Sequence, residues 1–298
     1  MLTRCVLSVL QRCRVLASGV AVGLVAMTAG ADGADAPRPP TRIVSLNLCT
    51  DELVLRLADR RNIASVTYLA ATSGVSNVVD LARDIPANHG LAEEIVPLNP
   101  DLVVSGRYTA RNAVAVLERT GFAVLDLDVP RNLDEIREQY RRMGQALGEE
   151  ERAERVIAEM DRELGAIPER PEDGRPRAMV FNANGYTIGK GSLTDDVITR
   201  AGMENLSATL GIDNYGQVPL EAVVTNAPDV LILSSFRDGP PAMATEVLRH
   251  PVLAKMADRM RIVVMPGRLW ACAGPGNIDA IALLARTANE ARRQGTRE

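Results

Sequence analysis

The chain has 298 residues, 46% hydrophobic and 24% charged, with ordinary use of Gly and Pro, which supplies ample core material and excludes disorder and collagen-like repeats. A formal charge of -4 excludes a dedicated nucleic-acid binder, whose footprint is a basic patch or stripe. With only two histidines, His89 and His250, a site made of several imidazoles is also excluded.

Arg4, Arg12 and Arg14 precede an uncharged run, Val15 to Ala31, that is rich in Ala, Gly and Val and ends in Ala29-Gly-Ala31. This is the pattern of a secretory signal peptide, expected over residues 1–31 with cleavage after Ala31; Ala34-Asp-Ala36 is a second candidate site. The run falls short of the roughly 20 apolar residues that a membrane span needs. Cys5 and Cys13 leave with this segment, and neither stands where a lipoprotein signal places its acylated cysteine. A soluble protein exported to the periplasm is expected, with residues 32–41 as a disordered tail.

Beyond the tail, short aliphatic strands alternate with amphipathic helices, which predicts an α/β fold with largely parallel sheets. Strands are predicted at Arg42–Leu46, Ile63–Val66, Asp101–Ser105 and Ala123–Leu127, and then at Arg177–Asn182, Val230–Leu233 and Arg261–Met265. Residues 42–131 form an N-terminal lobe in this reading and residues 168–298 a C-terminal lobe with a terminal helix. Residues 132–167 between them are helical, with a break near Gly148. A helix over Glu149–Ile167 would span roughly 28 Å, enough to cross once between lobes. The segment Pro168 to Pro176 is a loop by its Pro, Gly and charge content.

The two lobes repeat each other. Glu93-Glu-Ile-Val-Pro-Leu-Asn-Pro-Asp-Leu-Val-Val104 aligns with Glu221-Ala-Val-Val-Thr-Asn-Ala-Pro-Asp-Val-Leu-Ile232, each copy reading helix, Pro-Asp stop, buried strand. Arg42 to Leu53 likewise aligns with Arg177 to Val197, with Thr50 and Thr194 as N-cap candidates and acidic residues in the first turn. Eleven residues separate Asn182 from Thr194 where two separate Asn47 from Thr50. Long loops at strand C-termini are where open α/β sheets bind ligands, so two facing lobes predict a cleft.

The opening RIVSLNLCTDELVLRLAD, then EEIVPLNPDLVVSG, LEAVVTNAPDVLIL and the terminal VVMPGRLWACAGPGNIDAIALLA stand in the order and spacing of a known family. Over Arg42 to Ala288 the chain resembles the periplasmic substrate-binding proteins of the helical-backbone class, which serve ABC importers of cobalamin, ferric siderophores and haem. The resemblance implies two Rossmann-like lobes joined by one long helix, limited hinge motion and a metal chelate held between the lobes. It also implies that Glu93 and Glu221 contact arginines of a dimeric inner-membrane permease, which works with its ATPase. The residues themselves agree: two glutamates at matching positions suit a two-fold partner with a basic pocket on each subunit. Glu94, beside Glu93, leaves that choice open.

Residues just beyond strand ends are expected to line the cleft: Asn47, Cys49, Tyr68, Arg107, Tyr108, Asn182, Asn184, Tyr186, Lys190, Tyr215, Arg268 and Trp270. Tyr and Trp offer a flat apolar face with a polar tip. Arg107, Lys190 and Arg268 favour an anionic complex. For Cys49 and Cys272 three readings stay open: buried inert thiols, a disulfide between loops, or soft ligation of metal or haem. His89 and His250 read as loop and helix-start residues, which argues against capture of a bare metal ion. The Gly189-Lys-Gly-Ser run lacks the spacing of a phosphate-binding loop, and neither G-x-S-x-G nor H-E-x-x-H occurs. The expected function is periplasmic capture of a ferric siderophore or a corrinoid such as cobalamin by a monomer with no intrinsic cofactor and no metal site of its own. A haem-binding member of the same class is the alternative, and an enzyme on Rossmann lobes is the alternative of another kind.

Overall fold

A computed structural model describes residues 38–108, 110–168, 174–235, 250–256 and 259–295. The expected signal segment lies outside the described residues, as do most of the expected tail and part of the 168–176 loop.

The first lobe carries a five-stranded sheet of β1 (Ile43–Ser45), β2 (Ile63–Thr67), β3 (Ala87–Asn88), β4 (Leu102–Gly106) and β5 (Val124–Leu127), ordered β3-β2-β1-β4-β5. Every pairing is parallel, with Ile43 opposite Leu102 and Val103 opposite Val124. Parallel strands are covered on both faces, which is why β1 and the middle of β4 are buried runs without alternation. In the second lobe lie β6 (Arg177–Val180), β8 (Glu204–Asn205), β10 (Val230–Ser235) and β11 (Arg261–Pro266), ordered β11-β10-β6-β8 and again parallel. A separate antiparallel ribbon pairs β7 (Tyr186–Ile188) with β9 (Tyr215–Gln217). All seven strands read from the sequence are present; β3, β7, β8 and β9, two or three residues each, are too short to leave a periodic signal.

Helices used below are α1 (Leu48–Leu57), α2 (Ala92–Ile95), α3 (Arg111–Arg119), α4 (Leu133–Leu147), α5 (Glu150–Gly165), α6 (Leu193–Arg200), α7 (Leu220–Asn226) and α8 (Gly276–Gly295). The N-cap of α6 is Ser192, whose side chain accepts from Asp195 N–H, and not Thr194. The N-cap of α1 is Asn47, whose side chain accepts from Cys49 and Thr50 N–H, and not Thr50. In both cases the amide or hydroxyl nearer the strand reaches the free N–H groups first.

The repeat is structural. Asp101 accepts the N–H of Arg42, and Asp229 that of Arg177; the Arg42 guanidinium donates to Leu98 O and that of Arg177 to Ala227 O. Asn99 and Ala227, which end the two helical segments, both adopt left-handed backbone, with φ of 45° and 40°. From Glu93 to Pro100 and from Glu221 to Pro228 the succession of exposed, half-buried and buried residues is identical.

Helix α5, the helix read over Glu149–Ile167, runs between the lobes, and α4 runs beside it. At its start α4 donates Leu133 N–H to Asp196 of α6 in the second lobe, 3.0 Å; at its end Gly148 lies against Pro39 of the first. Gly148, at φ +67°, closes the helix as a left-handed cap and turns the chain into α5. The helix expected over Glu149–Ile167 is α5, whose Arg152 donates to Ala58 O in the first lobe while its other contacts include α8 of the second. Arg137–Asp161 and Arg141–Glu154 ion pairs link α4 to α5, and being exposed they add little, roughly 0–1 kcal/mol each. Burial does more: Ile136, Tyr140 and Met143 of α4 and Ile157 and Met160 of α5 join one cluster with Ile43 and Val104 of the first sheet and Val180 and Ile232 of the second. Each such side chain contributes about 1.5–3 kcal/mol, so the lobes share a core beneath their junction. Thr41, at the end of the expected disordered tail, is tied down instead, donating its N–H and hydroxyl to Asp101.

Candidate functional site

The C-terminal edges of the two sheets meet. Cys49, at the start of α1 just past β1, is bonded to Cys272, just past β11, with Cα atoms 5.0 Å apart. Among the three readings left open for these cysteines, the structure has the disulfide. Beside it Arg268 donates to Asn77 Oδ1 at 3.1 Å while its carbonyl accepts from Asn77 Nδ2 at 2.5 Å. A third contact is the Gly274 backbone against the buried Tyr140 ring, so close that a Cβ would lie 2.8 Å from the phenol oxygen. Both sheets reverse their winding at this edge, between β1 and β4 and between β6 and β10, and such switch points at strand C-termini are where open α/β sheets bind ligands.

The expected cleft residues divide into distinct roles. Asn47 is half-buried and its Oδ1 caps α1. Asn182 is half-buried too, accepting Ser234 N–H at 3.2 Å and so bridging the ends of β6 and β10. Asn184 is exposed at a left-handed turn position, φ 57°. Trp270 is half-buried and packs against the main core, which moves it from the surface shell toward a supporting part. Four tyrosines remain open to solvent: Tyr68 (45%), Tyr108 (73%), Tyr186 (50%) and Tyr215 (67%). The fifth, Tyr140, is buried in α4.

Tyr68 follows β2 and His89 follows β3; their rings stack with centroids 5.2 Å apart. Glu94 fixes the histidine, accepting its backbone N–H at 2.6 Å and facing its Nδ1 at 2.9 Å. These hydrogen bonds from His89 hold the Glu94 carboxyl below the usual carboxylate range. Under the same loop Asp51 is buried, accepting from Thr67 N–H and hydroxyl; burial pushes its pKa up to about 6 against those hydrogen bonds.

The eleven-residue loop of the second lobe supplies β7, which pairs with β9 to form the ribbon. Tyr186 stands opposite Gln217 and Ile188 opposite Tyr215, so both tyrosines share one face, diagonal neighbours about 7–8 Å apart. The other face is buried: Thr187 donates to Val180 O and contacts the Ser207 hydroxyl. Glycine is required here. At Gly185, φ +72°, a Cβ would sit 2.3 Å from Val218 O, and at Gly189 it would sit 1.9 Å from Ile212 O. The N–H groups of the Gly189-Lys-Gly run are spent internally, on Asn214 O, Ile212 O and the Asp195 carboxylate, so the run is a packing device rather than a phosphate cradle.

Charge of both signs surrounds the expected cleft. Arg107 meets Asp128 at 2.7 Å, and a hollow of about 340 Å³ beside it is lined by Arg107, Tyr108 and Arg111 together with Glu118 and Asp126. Lys190 is exposed. Among the described residues no group of three or more His, Cys, Asp and Glu could hold a metal ion.

The family model for periplasmic binding proteins matches residues 43–258. The chain is a periplasmic binding protein. This family is the substrate-binding, extracytoplasmic part of ABC importers and works with permease and ATPase components. The binding protein is 25% identical over 262 residues to an uncharacterized ABC transporter substrate-binding lipoprotein of Bacillus subtilis, covering 84% of this chain and 80% of the relative. It is 29% identical over 147 residues to the vitamin B12-binding protein of Salmonella typhi, a match covering 48% of this chain and 54% of that protein. In fold it is similar to the periplasmic heme-binding protein of Roseiflexus sp. RS-1 in apo form, with a TM-score of 0.68, 24% identity and 84% and 98% of the two chains covered. An ABC-type Fe3+-hydroxamate transport system structure from Saccharomonospora viridis gives a TM-score of 0.63 at 21% identity, with 84% and 93% covered.

The residues that sequence reasoning missed are partners rather than candidates. Asn77 and Asp128 each occupy a polar group of an expected site residue, and Asn77 meets Arg268 from a loop that only the folded sheets bring beside it.

Proposed function

We propose that this binding protein captures a metal chelate, a ferric siderophore or a corrinoid such as cobalamin, between its lobes in the periplasm and delivers it to a dimeric inner-membrane permease. The observation that carries the reading is the set of solvent-open tyrosines: Tyr68 and Tyr108 just past β2 and β4 of the first lobe, and Tyr186 and Tyr215 on one face of the β7–β9 ribbon of the second. Such side chains give a broad ligand large contact area at small entropic cost. Names of similar proteins support the class: vitamin B12 in one and Fe3+-hydroxamate in another. Haem is the second reading, favoured by the heme-binding fold neighbours and by Tyr68, a half-exposed phenol of the kind that can ligate haem iron.

Docking through Glu93 and Glu221 is supported by their identical settings in the two repeats. Both are exposed and neither carboxylate has a partner among the described residues, whereas Glu94 is engaged by His89. A monomer with two such acidic points fits a two-fold partner. Thermal melts of the purified mature protein with cyanocobalamin, a ferric trihydroxamate, a ferric tris-catecholate and haemin test the ligand class. A ligand present at about 100 Kd adds about 2.7 kcal/mol and raises the melting temperature by several degrees; no shift with any of the four would reject the reading.

A further inference from the structure

Resting on the chelate-binding reading above, the balance of charge in the cleft narrows the ligand. Carboxylates stand among the cations expected to attract an anion, with Glu118 and Asp126 lining the hollow that Arg107 and Arg111 share. Arg107 is held by Asp128 at 2.7 Å. Arg268 is turned to Asn77, bonded to its amide oxygen while its own carbonyl takes the amide N–H. Lys190 is exposed and stands opposite Asp213 in an isolated backbone bridge. Around the Tyr68–His89 stack the fixed charge is the Glu94 carboxylate, which His89 holds in its ionised form. A polyanion entering here would meet the carboxylates of Asp128, Glu118, Asp126 and Glu94 as well as the cations, and like-charge contacts cost free energy. The open surface is instead aromatic: the Tyr186/Tyr215 face of the ribbon on one lobe, with Tyr68 and Tyr108 on the other.

We propose that the cleft selects a chelate of low net charge, held by contact with the tyrosine faces, over a polyanionic one. Hydroxamate-type and corrinoid complexes have this character; tris-catecholates carry three negative charges and haem brings two propionates.

The test is equilibrium titration of the mature protein with four probes, cyanocobalamin, a neutral ferric trihydroxamate, a ferric tris-catecholate and haemin, at about 50 and about 500 mM NaCl, where the Debye length falls from roughly 14 to roughly 4 Å. A neutral probe should bind tightest, at least about tenfold tighter than the tris-catecholate, with less than about twofold change across the salt range. Tyr186→Ala with Tyr215→Ala should weaken it about tenfold or more, while Arg141→Gln, in the exposed α4–α5 ion pair, leaves it within about twofold. If the tris-catecholate or haemin binds tightest and its affinity collapses with salt, the charge inference is overturned while the chelate-binding function stands. If none of the four binds, both fall.

Discussion

Cys49 and Cys272 are joined by a disulfide although 223 residues separate them in the chain. One leads helix α1 of the first lobe and the other follows β11 of the second, so the bond ties the lobes at the edge where their sheets meet. In the unfolded chain the same bond would close a very long loop, which is where a cross-link removes most entropy. Replacing both cysteines by serine should cost about 2–5 kcal/mol, seen as a fall of roughly 5–15 °C in the melting temperature. Reductant should lower the wild-type melt by a similar amount and leave the double variant unmoved; equal melts for wild type and variant would contradict the tie.

Asp51 gives a pH signature opposite to that of most carboxylates. Its folded pKa of about 6 lies above the unfolded value, because burial disfavours the charged form. Between about pH 4 and pH 6 the native state therefore holds a proton that the unfolded chain has released, and stability falls as pH rises through that window. Above about pH 6 the penalty is constant, on the order of 3 kcal/mol. Asp51→Asn removes the charge, so its stability relative to wild type should climb from pH 4 to pH 6 and then level off. Urea unfolding of both proteins across this range measures the difference; parallel curves would contradict it.

The matched glutamates predict a separation of binding from transport. Glu93→Lys with Glu221→Lys should abolish ligand uptake in cells while the purified variant binds its ligand within about twofold of wild type, the outcome expected if the two exposed glutamates serve docking alone. Each single reversal should give an intermediate loss. Unchanged uptake by the double variant would remove the docking assignment.

Gly189→Ala tests the ribbon. Its Cβ would fall 1.9 Å from Ile212 O, so β7 and the returning strand must separate, at a cost of typically 1–3 kcal/mol. Chelate affinity should fall with stability, because Tyr186 and Tyr215 lose their common face. Gly174→Ala, whose Cβ meets nothing within 4 Å but whose φ is +67°, is the control: backbone strain there should lower stability alone.

How much of this was legible in the sequence follows from which interactions are local. The seven strands of the two parallel sheets that carry aliphatic runs, and the repeat, could be read because those runs and the Arg–Asp pairing at residues 42/101 and 177/229 are written into residue type and order. The aromatic positions were legible for the same reason: tyrosines after strand ends have nowhere to be buried. The partners of the cleft cations were not legible, because Asp128 meeting Arg107 and Asn77 bonding Arg268 depend on which loops the sheets bring side by side. The cysteines show the limit most clearly. Their positions after β1 and β11 could be read, but their bonding depends on two sheet edges coming within 5.0 Å at the Cα atoms.

The central claim is that the tyrosine-bearing edges of the two lobes hold one metal chelate of low net charge. Isothermal titration of the mature, disulfide-bonded protein with cyanocobalamin and with a neutral ferric trihydroxamate tests it most directly. The account predicts saturable one-to-one binding of at least one of them, micromolar or tighter, weakened about tenfold or more in the Tyr186→Ala/Tyr215→Ala variant. Absence of binding by both, or binding that the double tyrosine variant retains in full, would contradict it.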